Sequence, residues 1–301
     1  MTRFEELLES RARVVEAALA EMLSPASLRG VPERLASAMG HAVLGGGKRF
    51  RPFLVIESAA LLGTGSKEAL RTACALELVH CYSLVHDDLP AMDNDNLRRG
   101  RPTVWKAYDE WTAILAGDAL LTLAFEILSH PATHAEPAVR MDLCARLAKA
   151  SGPAGMVGGQ TIDLESGKLG QPPAPTLAHI QHLQAMKTGA LIAHACEAGA
   201  VLGGAGPDQL RALADYGRHL GLAFQIADDL LDVEGDAATM GKAVVKDAKA
   251  GKATFVSLLG LEGARARLAD AERGAVAALA DFGAQAGVLR EAAGFVSQRK
   301  S

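Results

Sequence analysis

The chain has 301 residues, 49% of them hydrophobic, 4% aromatic and 22% charged, which is enough apolar material to bury a core in one large domain or two ordinary ones. Lysine and arginine total 31 against 35 aspartate and glutamate, a formal charge of −4, so the basic excess of a nucleic-acid binder is missing and no nucleic-acid partner is expected. Cys74, Cys81, Cys144 and Cys196 lack CxxC spacing, and they read as reduced residues of a cytoplasmic protein, not as zinc ligands or a redox pair.

Abundant Ala and Leu and scarce β-branched runs predict an all-α fold. Residues 1 to 10 alternate charged and apolar groups at helical spacing and lack the apolar core of an export signal. Breaks are expected at Gly45-Gly46-Gly47 and at Gly63 to Ser66; beyond them Leu70, Cys74, Leu78 and Cys81 recur at three and four, the mark of a buried helical face. The most apolar stretches, Trp111 to Leu128 and Leu191 to Gly204, contain Asp118, Glu126, His194 and Glu197, so they read as core helices without stable membrane insertion. Further breaks are expected at Gly167 to Pro175, at Gly203 to Pro207 and at Gly235 to Gly241, with Leu213, Tyr216, Leu220 and Phe224 marking another helix. About ten helices or more result. No change of composition marks a boundary, and residues 1 to 301 read as a single-domain bundle. The segments 70 to 86, 111 to 128 and 213 to 234 are apolar on most of their circumference, as central helices are.

Acids inside such helices require a reason. Leu84-Val-His-Asp87-Asp88-Leu-Pro-Ala-Met-Asp93 and Phe224-Gln225-Ile-Ala-Asp228-Asp229-Leu-Leu-Asp232 each place three aspartates where an apolar helix is expected to end. Asp228 and Asp232 are four apart and share a face. Pro90 interrupts the first helix after Asp88, so Asp93 arrives from a loop or distorted turn. A solvated helix end is the bland alternative; against it, acids at a helix C-terminus oppose the macrodipole, and neighbouring carboxylates ~4 Å apart repel by about 4 kcal/mol at an effective dielectric of 20. Paired all-oxygen clusters suit a hard divalent cation, magnesium before zinc or copper, shared with substrate phosphates. Phosphate also needs donors, and Lys48-Arg49-Phe-Arg51 and Arg98-Arg99-Gly-Arg101 flank the first cluster. Taken alone, Lys48 and Arg51 also fit an ordinary solvated turn, and the glycine run before them lacks nucleotide-loop spacing.

Gly46-Gly-Lys-Arg-Phe-Arg-Pro52, the DDxxxxD at 87 to 93, Leu97-Arg-Arg-Gly100, Gly158-Gly-Gln160 with Asp163, Lys187-Thr-Gly189, the DDxxD at 228 to 232 and Gly251-Lys252 together resemble the bacterial short-chain prenyl diphosphate synthases. The resemblance runs from about residue 40 to the C-terminus. It implies an isoprenoid-synthase-type helical bundle around a central cavity, a homodimer, and Mg2+, three ions per active site with substrate bound. It implies a reaction in which dimethylallyl or geranyl diphosphate is ionised and condensed with isopentenyl diphosphate, followed by loss of a proton. Carried over residue by residue, Asp87, Asp88, Asp93, Asp228, Asp229 and Asp232 hold metal; Arg98, Lys187, Lys242 and Lys252 bind the allylic diphosphate; Lys48, Arg51, His80 and Arg99 bind the isopentenyl diphosphate. Lys187, Thr188 and Gln225 would attend the chemical step.

Tyr82 and Ser83, one turn or so before Asp87, stand where this family floors the pocket for the growing chain, and the aromatic resembles the type that stops at fifteen-carbon farnesyl diphosphate. Geranyl or geranylgeranyl diphosphate is the alternative product. A terpene cyclase would not need Lys48, Arg51 and Arg99 for a second diphosphate, and a non-catalytic scaffold subunit should have lost its acidic motifs. His86 reads equally as orienting a carboxylate or as packed; His179 and His182 read as an exposed polar face. Gln160 and Asp163 are secondary candidates, and Asn94 and Asn96 stand where relatives often carry further aspartates.

Overall fold

The computed structural model describes residues 2–239 and 253–299. They form two compact units, Met1–Ala145 with Val201–Gly204, and Arg146–Ala200 with Ala205–Ser301. Among the described residues the only strands are a two-residue pair, so the all-α expectation holds.

The first unit begins with α1 (Arg3–Met22), whose start is fixed by a capping box between Thr2 and Glu5 and whose buried residues, Phe4, Leu8, Val15 and Leu19, follow helical spacing. Then come α2 (Glu33–Val43), α3 (Phe50–Leu61) and α4 (Ser66–Asp87). α4 buries residues all round its axis, from Ala69 to Val85, and packs against α1, α2 and α3. Its Cys74 and Cys81 thiols are pushed up to about 12, first by burial and then by the charge of Glu77, which makes them inert reduced residues as expected.

Beyond α4, a hairpin of β1 (Leu97–Arg98) and β2 (Arg101–Pro102) leads through α5 (Val104–Ala107) to α6 (Glu110–Ser129) and α7 (Pro137–Ser151). α6 packs on α4 with Ala113, Ala116, Gly117 and Leu120 but exposes Trp111 at 57%, with Ile114 and Leu115 also exposed. The expected burial around the whole circumference therefore holds for α4 and fails for α6.

The second unit takes in the end of α7 from Arg146, then α8 (Met156–Leu169), α9 (Leu177–Gln184), a π-helical turn (Ala185–Gly189), α10 (Ala190–Leu202) as far as Ala200, α11 (Pro207–Thr239), α12 (Phe255–Ala278), a 3-10 segment (Ala280–Ala286) and α13 (Gly287–Gln298). α11 packs on α12 and α13, and its buried Tyr216 donates a hydrogen bond to the Leu289 carbonyl of α13 at 2.7 Å. The breaks expected near residues 63, 170 and 204 are present. Within the one expected over Gly235 to Gly241, α11 continues through Gly235 to Thr239, and Met240 and Gly241 lie outside the described residues. A glycine inside a helix costs only about 1 kcal/mol, which the packing of a 33-residue helix outweighs.

Candidate active site

In the first unit, α4 carries His80, Tyr82, Ser83 and Asp87 in its last two turns, with His80, Ser83 and Asp87 at spacings of three and four on one face, and Asp88 caps its end. The chain then folds back. The Asp93 amide donates to the Asp87 carbonyl at 2.8 Å, that of Asn94 to Leu89 and that of Asp95 to Asp88. Asn94 takes a left-handed φ of 56° in this turn, which asparagine tolerates. Asp93 thus arrives from a distorted turn after Pro90, and the helix ends where expected.

Asp88 is only 4% exposed. Burial raises its carboxyl above the usual range, and the Arg98 hydrogen bonds partly offset the rise. Arg98 grips it with Nε at 2.9 and 3.2 Å from the two oxygens and Nη2 at 2.5 Å. The structure therefore pairs a proposed metal ligand with a proposed diphosphate donor.

Arg98 and Arg99 owe their placement to the hairpin. Leu97 pairs with Pro102 and Arg98 with Arg101, leaving Arg99 and Gly100 as the two turn residues, with φ of 53° and 75°. Left-handed backbone at both positions is the geometry that matches strand twist. Arg99 donates to the Gly46 carbonyl, and a Cβ at Gly47 would stand 2.7 Å from its Nη1, so Arg99 lies against the glycine loop that precedes Lys48.

Arg49, also left-handed (φ 47°), caps α3 and is 3% exposed. Its guanidinium binds Glu77 at 2.6 Å, Glu16 at 2.6 and 2.8 Å and the Val43 carbonyl at 2.5 Å. This buried knot fixes the backbone between Lys48, which is exposed, and Arg51, which is half-buried. His80 is held well below its usual value, first by desolvation and then by Arg51, Arg99, Arg49 and Arg98 in turn. The charges of four guanidinium groups thus reach this imidazole, two of them, Arg49 and Arg98, already paired with carboxylates.

Tyr82 is buried with its ring edge against His86, centroids 5.7 Å apart. Ser83 turns its hydroxyl to the His80 carbonyl at 2.8 Å. His86 packs on α6, its Nε2 3.0 Å from the Ile114 carbonyl and its ring over Gly117, where a Cβ would collide with it. The Asp118 carboxylate stands 4.0 Å from the same Nε2, so these contacts favour the packed reading of His86. His179 lies 3.5 Å from the Ser166 hydroxyl, and His182 is exposed.

In the second unit, Lys187 and Thr188 stand in the π-helical turn, a feature frequent at functional sites. Two helices approach it at glycines: a Cβ on Gly159 of α8 would collide with the Lys187 backbone, and one on Gly221 of α11 would lie 2.9 Å from the Gly189 Cα. Lys187 Nζ contacts the Asp163 carboxylate at 2.6 Å.

On α11, Asp228 accepts from Arg299 Nη2 at 2.5 Å, and Asp232 is exposed one turn on. Asp229 points elsewhere. It accepts the Phe255 amide at the start of α12 at 2.8 Å and the Gln225 amide at 3.4 Å, and burial raises its carboxyl to about 6. The second acidic cluster therefore lies within a continuous helix, a correction to the expectation that it ends one.

Lys242, Lys252 and the Gly251-Lys252 motif lie outside the described residues. Arg49 and Arg299 were given no role by the sequence. Arg49 sits inside a motif already singled out, whereas nothing local distinguishes Arg299, whose partner is 71 residues away. Among the described residues, no three carboxylate, imidazole or thiol groups gather tightly enough to hold a metal ion by themselves.

Residues 32–280 match the family described as polyprenyl synthetase. The chain is 45% identical over 266 residues to a farnesyl diphosphate synthase of Geobacillus stearothermophilus, covering 88% of this chain and 87% of that one. It is 41% identical over 301 residues to a farnesyl diphosphate synthase of Escherichia coli, covering 98% and 99%. Among solved structures, an FPP/GFPP synthase from Zymomonas mobilis in its apo form superposes with a TM-score of 0.86 at 45% identity, covering 98% of each chain.

Proposed function

The chain belongs to the polyprenyl synthetase family, and from that premise we propose that it is a trans-prenyltransferase condensing dimethylallyl and geranyl diphosphate with isopentenyl diphosphate to give farnesyl diphosphate. The observation that carries the reading is the hairpin that sets Arg98 on Asp88 and lays Arg99 against the glycine loop before Lys48, with Asp88 in the turn that presents Asp87 and Asp93. Lys48, Arg51, His80 and Arg99 would hold the isopentenyl diphosphate. Arg98 and Lys187, with Lys242 and Lys252, would hold the allylic one.

The donor set fits magnesium: every candidate ligand is a carboxylate oxygen, the donor type that a hard divalent cation takes together with substrate phosphates. Asp87, Asp88 and Asp93 would hold it at the first aspartate-rich segment, and Asp228, Asp229 and Asp232 at the second. When bound, the cation supplies charge stabilisation to the departing diphosphate. The Thr188 hydroxyl and the Gln225 amide oxygen would face the allylic cation as dipoles, and fixed arginines stabilise the leaving group without reorganising during reaction. The isopentenyl double bond forms the new carbon–carbon bond, and a proton then leaves, with diphosphate as its acceptor.

Relatives named as farnesyl diphosphate synthases support the fifteen-carbon product, and Tyr82 with Ser83 would floor its pocket. The name FPP/GFPP synthase keeps a longer product as the second reading. We further read residues 1 to 301 as one catalytic domain, acting in the cytoplasm as a homodimer. The exposed Trp111, Ile114 and Leu115 of α6 support self-association. Asp118 and Glu126 within the same helix argue against membrane insertion, although its length and mean hydropathy of 1.6 would suffice to span one.

The test is incubation with dimethylallyl and isopentenyl diphosphates, with magnesium or with chelator, followed by sizing of the dephosphorylated alcohols. A metal-dependent fifteen-carbon alcohol is expected, and Tyr82→Ala should lengthen it by at least one five-carbon unit. Absence of any condensation would sink the reading.

A further inference from the structure

The second unit contains a cavity of about 600 Å3 that none of the chemistry above uses, a volume typical of small-molecule sites. Arg146 and Lys149 enter it from α7, Arg218 from α11 and Arg267 from α12. Of these four cations, Arg146 is paired at 3.3 Å with Glu197, the one carboxylate of the lining, and Arg218 with Asp215 outside it. His219, also in the wall, is held below its usual value, first by desolvation and then by Arg218 and Arg267, so both guanidinium fields reach the same point. Ala150, Ala185, Ala193 and Leu222 supply an apolar side.

The location adds a second argument. Ala185 and Gly189 of the π-helical turn and Leu222 of α11 form part of the wall, whereas Lys187, Thr188, Gln225 and Asp228, on the same two elements, are not among the lining residues. An occupant would therefore press on the elements that carry the proposed chemistry without entering among those side chains.

We propose that this cavity is a second, regulatory site for an anionic amphiphile: a phosphate or diphosphate head held by Arg146, Arg218 and Arg267, and a short apolar body laid against the alanines and Leu222. Arginine suits such a head because it forms paired, charge-assisted hydrogen bonds. The choice of an isoprenoid body rests on the proposed function. Occupancy would restrain the π-helical turn and so lower turnover.

The test uses farnesyl monophosphate as the probe and the full chain in chelator, with binding measured by calorimetry for the wild type, Asp87→Ala and the double variant Arg218→Ala/Arg267→Ala. One equivalent should bind the wild type and Asp87→Ala alike. The double variant should bind about tenfold more weakly or worse, as expected when charged hydrogen bonds are lost, while its condensation rate without probe stays within about twofold of the wild type's. With magnesium and both substrates, the probe should lower the wild-type kcat but not that of the double variant. The proposal is overturned if the probe does not bind, if Asp87→Ala alone loses it, if inorganic phosphate binds as tightly, or if inhibition is purely competitive. A wild type that binds the probe yet condenses nothing would refute the proposed function and leave this site standing.

Discussion

The two aspartate-rich segments are alike as strings and unlike as structures. The first ends α4, and the loop after Pro90 folds back over it so that Asp93 hangs on the Asp87 carbonyl. The second interrupts nothing, because the 33-residue α11, Pro207–Thr239, runs through it. Each segment buries one carboxylate, but the compensation differs. Asp88 has a full positive charge, Arg98, ten residues away; Asp229 has the amide of Phe255 and the amide of Gln225. A helix N-terminus offers only about half an elementary charge, and Asp229 is accordingly the one raised to about 6. Three aspartates in a row therefore do not imply three equivalent ligands. In the second segment, one member is also part of the joint between two helices.

The strongest way to break this comparison is to remove one carboxylate from each segment. Asp87→Ala and Asp228→Ala should each lower turnover about a thousandfold or more with helicity unchanged by circular dichroism. Near-normal turnover in either would remove that segment from the chemistry.

Asp229→Asn sharpens it. Since the folded-state value of Asp229 lies above its ordinary 3.8, at about 6, the native chain holds the proton more tightly than the unfolded chain. Its contribution is favourable below pH ~4 and is lost as pH rises through about 6. Asparagine keeps an oxygen for Phe255 but carries no charge, so in chelator above pH 7 the variant should gain on the order of 1 to 3 kcal/mol in urea denaturation while losing turnover. At pH 4 the gain should vanish.

The smallest effect concerns Arg299, which accompanies Asp228 only in the second segment. Arg299→Ala frees that carboxylate from a competing cation, and half-saturation by magnesium should fall by about threefold to tenfold in a titration of initial rates.

Much of this was legible in the sequence, for physical reasons that vary by element. The breaks before Phe50, Ser66 and Pro207 are written in clustered glycines, and the burial of Cys74, Leu78, Cys81, Tyr216 and Leu220 follows from helical spacing. Gly235 misled because a single glycine is a weak local signal that tertiary packing overrides. The Arg299–Asp228 and Arg49–Glu77 pairs join residues far apart in the chain, beyond the reach of any periodicity. The Asp88–Arg98 pair was hidden differently: both residues were identified, but only the two-residue hairpin turn brings them together.

The π-helical turn at Ala185–Gly189 carries a consequence for length variation. It holds one residue more than the α-helical path between the same ends would need, so deleting a residue there would repair the helix by every local criterion. Because the same ends would be spanned, the flanking helices would keep their register and only the residues of the turn itself would change direction. Lys187 would swing away from Asp163, and the Gly159 and Gly221 notches would meet the wrong backbone. At this site a sequence that looks more regular would be the defective one, and an aligned homologue lacking one residue between 185 and 189 should have lost the lysine's role along with it.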